Sequence, residues 1–514
     1  MKESKIYNVV RSSGAGILNN VALLALNLLS RNLFLTYIGI DYLSMAQVIN
    51  NLLTVVAFSE LGLSNAVLYM LYEPVAHGDE AKVRRILYLY RGFNRYVGLA
   101  VVVIGLLAMP TLPYFIRTEV PLGMVQLVYL LNLASSASTY FYTYRSILLS
   151  AQQRDYVASV ISTLVSFARI LLQCGIIYLW HDYLIFLLTG ILMAALQNAI
   201  IYFETGRLYP YIRHLAVDRQ LAAYQQEKRS LKRNILALSS VRIAGIVINN
   251  TDTIIISWLN TLMVGFCANY TAASNCLQQF MNIVQNVLLH SVGISAAEKS
   301  REELYAIFRM VVMLNSYLSE LVIVCLLVLW DDFIVLWIGE QYVVSRWIVL
   351  SLAVNVGWNM LCSPSWIFRD AAGLFVYVRR MLLYNSCLNL GISIVLGWCI
   401  GPAGVYFGTV LANLLTDFWY DSNIVYQKEF GLPNARPFQY HLLRSLLLSL
   451  VLGSGLYAFW SGMEVTLWHW FLKMLGTMLF FTLLFYLRWH RSPTFAMVRE
   501  RFLLLLWAKI TRRG

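Results

Sequence analysis

The chain is short of charge. Asp, Glu, Lys and Arg make up 13% of its 514 residues, about half the ~25% of a soluble domain. That deficit excludes an ordinary water-soluble protein of this size. Catalytic signatures are missing as well. No GxxxxGKS/T, HExxH or GxSxG motif occurs, which removes the usual marks of P-loop NTPases, zinc peptidases and α/β-hydrolases. The seven His are scattered. Only His290 falls well inside an apolar stretch, where hydrogen-bonded packing explains it better than a proton relay. The seven Cys, at 174, 267, 276, 325, 362, 387 and 399, include no CxxC pair. All lie in apolar stretches, where a thiol behaves as a small apolar group, so neither a disulfide nor a metal site is expected.

Apolar sequence is abundant. Hydrophobic residues are 59% of the chain, and runs long enough to cross a bilayer, about 20 residues, recur from end to end. Fourteen spans are predicted: 12–37, 44–72, 88–116, 122–149, 157–180, 183–206, 235–259, 263–294, 307–330, 346–368, 380–400, 402–427, 441–461 and 467–488. The start, MKESKIYNVVR, is basic like a signal peptide, but the run after it is too long, is broken by Asn and Arg, and is followed by another span. It reads as an uncleaved first helix. The net charge of +13 points to topology rather than nucleic acid. Arg117 and Arg346 are the only cations in one set of alternate loops, whereas the other set is rich in Lys and Arg. This positive-inside bias puts both termini in the cytoplasm, and the basic excess there also attracts anionic membrane lipid. The opposite loops are short, the longest being about 331–345 with Asp331 and Asp332, and nothing around them builds an active site. No enzyme is expected.

The informative residues are the polar ones inside the spans. A guanidinium among lipid tails costs on the order of 2.5–3.5 kcal/mol, so it turns toward other helices or a wet cavity unless it can reach the surface. Arg31 lies one or two turns from the outer end of span one, where snorkelling is an equal alternative. Arg169 has about 18 Å of helix on either side and cannot snorkel. Arg242 is a weaker third. Arg91, Arg95 and Lys473 lie near span ends and can snorkel, and Arg145 closes an aromatic cluster at an interface. On span eight, Asn275, Gln278, Gln279, Asn282, Gln285 and Asn286 follow helical spacing. One amide in a span is explained by helix-to-helix bonding; a stripe suggests a wet surface for a polar ligand. Asn355 and Asn359, then Asn385 and Asn389, form i, i+4 pairs on later spans. Asn413, Asp417 and Asp421 recur every fourth residue on span twelve, with Asp421 read as a solvated helix end.

The halves repeat weakly. Arg31 to Arg91 and Asn249 to Arg309 are both 60-residue intervals, each passing a long span and a charged hook (GDEAKVRR, EKSREEL). Such symmetry is expected in transporters. It gives an N-terminal lobe 1–206, an interfacial linker 207–234, a C-terminal lobe 235–427, two further spans in 428–488, and a basic amphipathic tail 489–514 suited to lying on the membrane.

The stretches SRNLFLTYIGIDYLSMAQVINNLL, SELGLSNAVLYMLY with GDEAKVRRIL, and NNTDTIIISWLNTLMVGFCANYTAASNCLQQF resemble the Wzx-type polysaccharide flippases of the MOP (MATE-like) superfamily. The resemblance implies an all-α polytopic membrane fold: two six-helix lobes around a central cavity, plus two C-terminal helices. It implies a bacterial cytoplasmic-membrane flippase that moves undecaprenyl-diphosphate-linked oligosaccharide repeat units between leaflets, with a lipid-linked oligosaccharide and other polysaccharide-assembly proteins as partners and no nucleic acid. Arg31, Arg169 and Arg242 would then meet the diphosphate. Asn275, Gln278, Gln279, Asn282, Asn286, Asn355 and Asn359 would meet the sugars. No cofactor is implied. Some relatives couple to Na⁺ or H⁺, and Asp252, Asn413 and Asp417 are the candidates for that cation; the alternative for Asp252 is a structural pairing with another span. The alternatives for the whole chain are a MATE-type exporter of cationic drugs or metabolites, which the arginines oppose, and a membrane polymerase or ligase.

Overall fold

Among lipid tails a backbone finds no water, so its N–H and C=O groups must satisfy one another along a helix. The computed structural model describes residues 22–56, 63–212, 222–275, 278, 292 and 300–500, and among these every regular element is helical. In chain order the main helices are α1 (22–37), α2 (Ile40–Val56), α3 (Leu63–Ala76), α4 (Glu80–Ala108), α5 (Leu122–Ala151), α6 (Asp155–Trp180), α7 (Tyr183–Leu208), α8 (Ala222–Leu259), α9 (261–275), α10 (Arg301–Trp337), α11 (Arg346–Ala371), α12 (Phe375–Ile400), α13 (Pro402–Leu415), α14 (Asp417–Val425), α15 (Arg436–Trp460) and α16 (Leu467–Trp489). Eight helices among the described residues are long and apolar enough to cross a membrane. This is an all-α polytopic membrane fold. Its chain packs as two compact units, one through Gly265 and one from Phe266.

In the first unit, charged segments and spans run together. Gly78, at φ +68°, turns the chain after α3, and the Asp79 carboxylate caps α4 by accepting from the Lys82 amide at 2.8 Å. The charged hook therefore forms the first turns of a 29-residue helix. Its buried face (Val83, Ile86, Leu87, Tyr90) packs with Val67 and Leu71 of α3, Tyr144 and Leu148 of α5, and Tyr224 and Leu231 of α8. Small residues let helices approach closely: Gly105 of α4 sits against Leu133 of α5, and Tyr129 donates to the Gly105 carbonyl at 2.9 Å. The charged end of the linker continues without a break into the next span, making α8 one helix of 38 residues. Packing accordingly divides the chain at Gly265, whereas the sequence reading divides it within 207–234.

The second unit is built around α10, which starts with a capping box between Ser300 and Glu303. It is 37 residues long, about 56 Å, and packs against α11, α15 and α16. Met313, Val324 and Val328 of α10 bury with Phe481 and Phe485 of α16. Charged pairs add to this contact. Lys473 of α16, 4% exposed, bonds Asp332 of α10 at 2.7 Å, so it does not snorkel. Asp331 accepts from Tyr270 at 2.8 Å and pairs with Arg346 at 3.2 Å. Glu320 of α10 pairs with Arg488 of α16 at 3.1 Å, and Arg488 also reaches Ser445 of α15. Between α12 and α13 the turn runs through Gly401 at φ +69° and Pro402. Gly408 of α13 lies so near Ser393 of α12 that an added Cβ would fall 2.7 Å from the Ser393 Cα.

Candidate functional site

In the first unit two arginines are brought to a common level. Phe34 of α1 packs edge-on against Tyr183 and Phe186 of α7, ring centroids 6.0 and 5.2 Å apart. Gln173 of α6 donates to the Phe186 carbonyl at 3.1 Å. Arg31 precedes Phe34 by one turn, and Arg169 precedes Gln173 by one turn. Both therefore stand about a turn below Phe186 on the flank of α7. A second registration agrees: Tyr37 and Tyr178, near the ends of α1 and α6, meet at 6.2 Å. Counting back at about 1.5 Å per residue puts the two arginines within about 5 Å in depth. Both are half-buried, and the Arg169 Nε is buried with no hydrogen-bond partner among the described residues. Two forked, weakly hydrated cations at one depth suit a phosphate-bearing group.

In the second unit, carboxylates and amides meet where a span is interrupted. Thr416, at φ −124° and ψ −91°, separates α13 from α14, so span twelve is two helices with the break beside Asp417. The Thr416 hydroxyl turns back to the Ala412 carbonyl. Asn385 of α12 donates to Asn413 at 2.7 Å and to Asp417. Several polar atoms here are buried without a partner among the described residues: Oδ1 of Asn385, Asp417 and Asp421, and both Oδ1 and Nδ2 of Asn389. Asn413, Asp417 and Asp421 line a cavity of about 20 Å³ with Ser365 and Cys362, room for about one water-sized occupant. Oxygen donors, negative charge and broken backbone fit a small hard cation or a proton.

Asp421 corrects the sequence reading. It is buried and bonded to Arg369, which also holds Asp370 at 2.8 Å, so it is a paired charge and not a solvated helix end. Asn359 donates to Asn355 at 3.1 Å, and Asn355 to the Tyr406 carbonyl at 3.4 Å; this pair ties α11 to α13. Asp252 lies in α8 of the first unit and Asn413 and Asp417 in the second. On span eight, Asn275 is exposed and Gln278 half-buried. Gln279, Asn282, Gln285 and Asn286 lie outside the described residues, as does the side chain of Arg242. Sequence reasoning missed Glu320 and Arg369. A lone acid in the middle of an apolar span was the available signal for Glu320, since such a charge demands a partner.

No family model matches the chain, and no curated protein matches it. Solved structures do. The inward closed conformation of the lipid II flippase MurJ superposes with TM-score 0.67 at 13% identity, covering 92% of this chain and 99% of that one. An inward-facing multidrug resistance MATE family transporter of the MOP superfamily gives TM-score 0.61 at 11% identity, covering 82% of this chain and 95% of its own. An outward-facing MATE family transporter gives 0.51 at 12% identity, with coverage of 83% and 94%. The chain therefore has the fold shared by the lipid II flippase MurJ and the MATE transporters of the MOP superfamily.

Proposed function

We propose that this protein is a Wzx-type flippase, carrying undecaprenyl-diphosphate-linked oligosaccharide repeat units from the inner to the outer leaflet of a bacterial cytoplasmic membrane, with both termini cytoplasmic. The observation that supports the reading is the level shared by Arg31 and Arg169, each one turn along its helix from a residue that meets Phe186. An intramembrane cation is costly, and a pair at one level is what a diphosphate requires. Arg242 is assigned the same role. The amides Asn275, Gln278, Gln279, Asn282, Asn286, Asn355 and Asn359 are assigned to sugar hydroxyls. Alternating access between the leaflets is the proposed mode of transport. Asn413 and Asp417, with Asn385 beside them, form the proposed coupling site for Na⁺ or H⁺; Asp252, in the first unit, is a separate candidate for that cation.

The extent of the structural likeness supports a flippase over an exporter. MurJ covers about a tenth more of this chain than the MATE transporters do, a difference close in length to α15 and α16 together. A MATE-type cation exporter is the second reading, favoured by the buried carboxylates of α14. Replacing Arg31 and Arg169 by Gln separates the two. Surface glycan should fall to the level of a deletion strain, with the variant protein still inserted at normal abundance. Unaltered glycan display by the double variant rejects the flippase assignment.

A further inference from the structure

A second cationic site lies in the first unit, away from the helix pair that carries Arg31 and Arg169. Arg91 and Arg95, one turn apart on α4, line a cavity of about 290 Å³ with Tyr140, Phe141, Tyr142 and Tyr144 of α5 and Tyr202 of α7. No carboxylate is in that lining, and neither arginine forms an ion pair among the described residues. Behind the wall Arg145 is buried, its guanidinium 3.7 Å from the Tyr202 ring centroid and its Nη1 donating to the Tyr202 carbonyl at 3.2 Å. Gly206 leaves the space it occupies, since a Cβ there would fall 2.7 Å from Arg145 Nη1. The cavity is thus walled by aromatic rings and positive, with no carboxylate in its lining to neutralise it.

Its depth follows from the sequence of the three helices. After Arg95 the chain carries no charge until Arg117; before Arg145 there is none back to Glu119; before Glu204 there is none back to Asp182. Each interval is about 20 residues or slightly more, the thickness of a hydrocarbon core. Arg95, Arg145 and Glu204 therefore mark one membrane boundary, and the cavity straddles it at headgroup level. Below Arg95 the exposed side chains continue in register: Leu99, Val103, Leu106 and Leu107 on α4. A headgroup held by the arginines would lay its acyl chains along that stripe.

We propose that this cavity is a binding site for the phosphate headgroup of a resident anionic phospholipid. Charge complementarity and the apolar stripe select a lipid phosphate over a free one. The aromatic rings supply the interfacial surface on which headgroups rest. The volume is near the lower end of small-molecule sites, ~300–1,000 Å³, and so takes a headgroup rather than a glycan.

The test is native mass spectrometry of the full-length protein released from nanodiscs of phosphatidylcholine alone or with phosphatidylglycerol or cardiolipin. Wild type should retain the anionic lipid selectively. The Arg91→Gln/Arg95→Gln variant should bind it about thirtyfold more weakly, as expected for two interfacial cations. The Arg91→Lys/Arg95→Lys variant, which keeps the charge, should recover much of the retention and controls for misfolding. Equal retention by wild type and the Gln variant, or equal retention of phosphatidylcholine, overturns the proposal. Displacement by inorganic phosphate at millimolar concentration overturns it in favour of a free-anion site. Displacement by undecaprenyl diphosphate at equal mole fraction overturns it in favour of a substrate way-station. None of these readouts depends on glycan transport.

Discussion

Arg488 Nη1 stands 3.2 and 3.1 Å from the two carboxylate oxygens of Glu320, while its Nη2 reaches Ser445 at 3.2 Å. Three helices, α10, α15 and α16, are joined by one guanidinium. A buried pair of this kind is costly to break, because removing one partner strands the other charge.

Glu320→Ala should therefore destabilise the protein by about 3–5 kcal/mol, read as a fall in thermal melting temperature in detergent. Removing both charges, as Glu320→Leu with Arg488→Leu, should recover much of that loss. An unchanged melting temperature in the single variant would mean that the pair contributes nothing to the α10–α16 contact.

The pair between Arg85 and Glu227, 3.1 Å apart, fastens the start of α8 to α4 outside the membrane and has a pH dependence. Burial pushes the Glu227 carboxyl above the ordinary glutamate range, and the hydrogen bond from Arg85 only partly offsets it. A raised carboxyl pKa means the folded contact holds its proton more tightly than the free chain does. Its contribution is complete below the ordinary pKa of 4.5 and declines as pH rises through the raised value. Hydrogen exchange in residues 222–232, corrected for its intrinsic pH dependence, should speed up from acid toward neutral pH. In Glu227→Gln, which cannot ionise, that change should vanish; its persistence would assign the effect to another group.

Asp417 and Asp421 are one turn apart and should behave differently. Asp421 is bonded to Arg369, so Asp421→Asn should lower stability and expression. Asp417 has an amide partner and an oxygen without a partner among the described residues, so Asp417→Asn should keep the melting temperature within a few degrees while abolishing the dependence of transport on a Na⁺ or H⁺ gradient. Gradient-dependent transport surviving in vesicles containing Asp417→Asn would remove it from the coupling site.

Helix positions were legible because bilayer thickness fixes their length. α6, α7, α11, α15 and α16 fall within a few residues of the spans read from hydrophobic runs. Partners across helices were not legible. Lys473 looks free to snorkel until Asp332 is found beside it, because pairing depends on helix rotation and neighbour choice, which one sequence does not encode locally. The interruption at Thr416 was also hidden. No Pro or Gly marks it, and the bond from Asn385 to Asp417 just after the break is a tertiary contact. The shared level of Arg31 and Arg169 likewise emerges only through contacts between helices, at Phe186 and between Tyr37 and Tyr178.

The unbroken run of α8 has a mechanical consequence. At 38 residues it is about 57 Å long, joining the membrane interior to the Arg85 contact as a single rod. A tilt of about 5° at its far end sweeps the near end through about 5 Å, enough to part Glu227 from Arg85. Whatever rotates that span is thereby reported at the membrane surface, with no hinge between to absorb the motion.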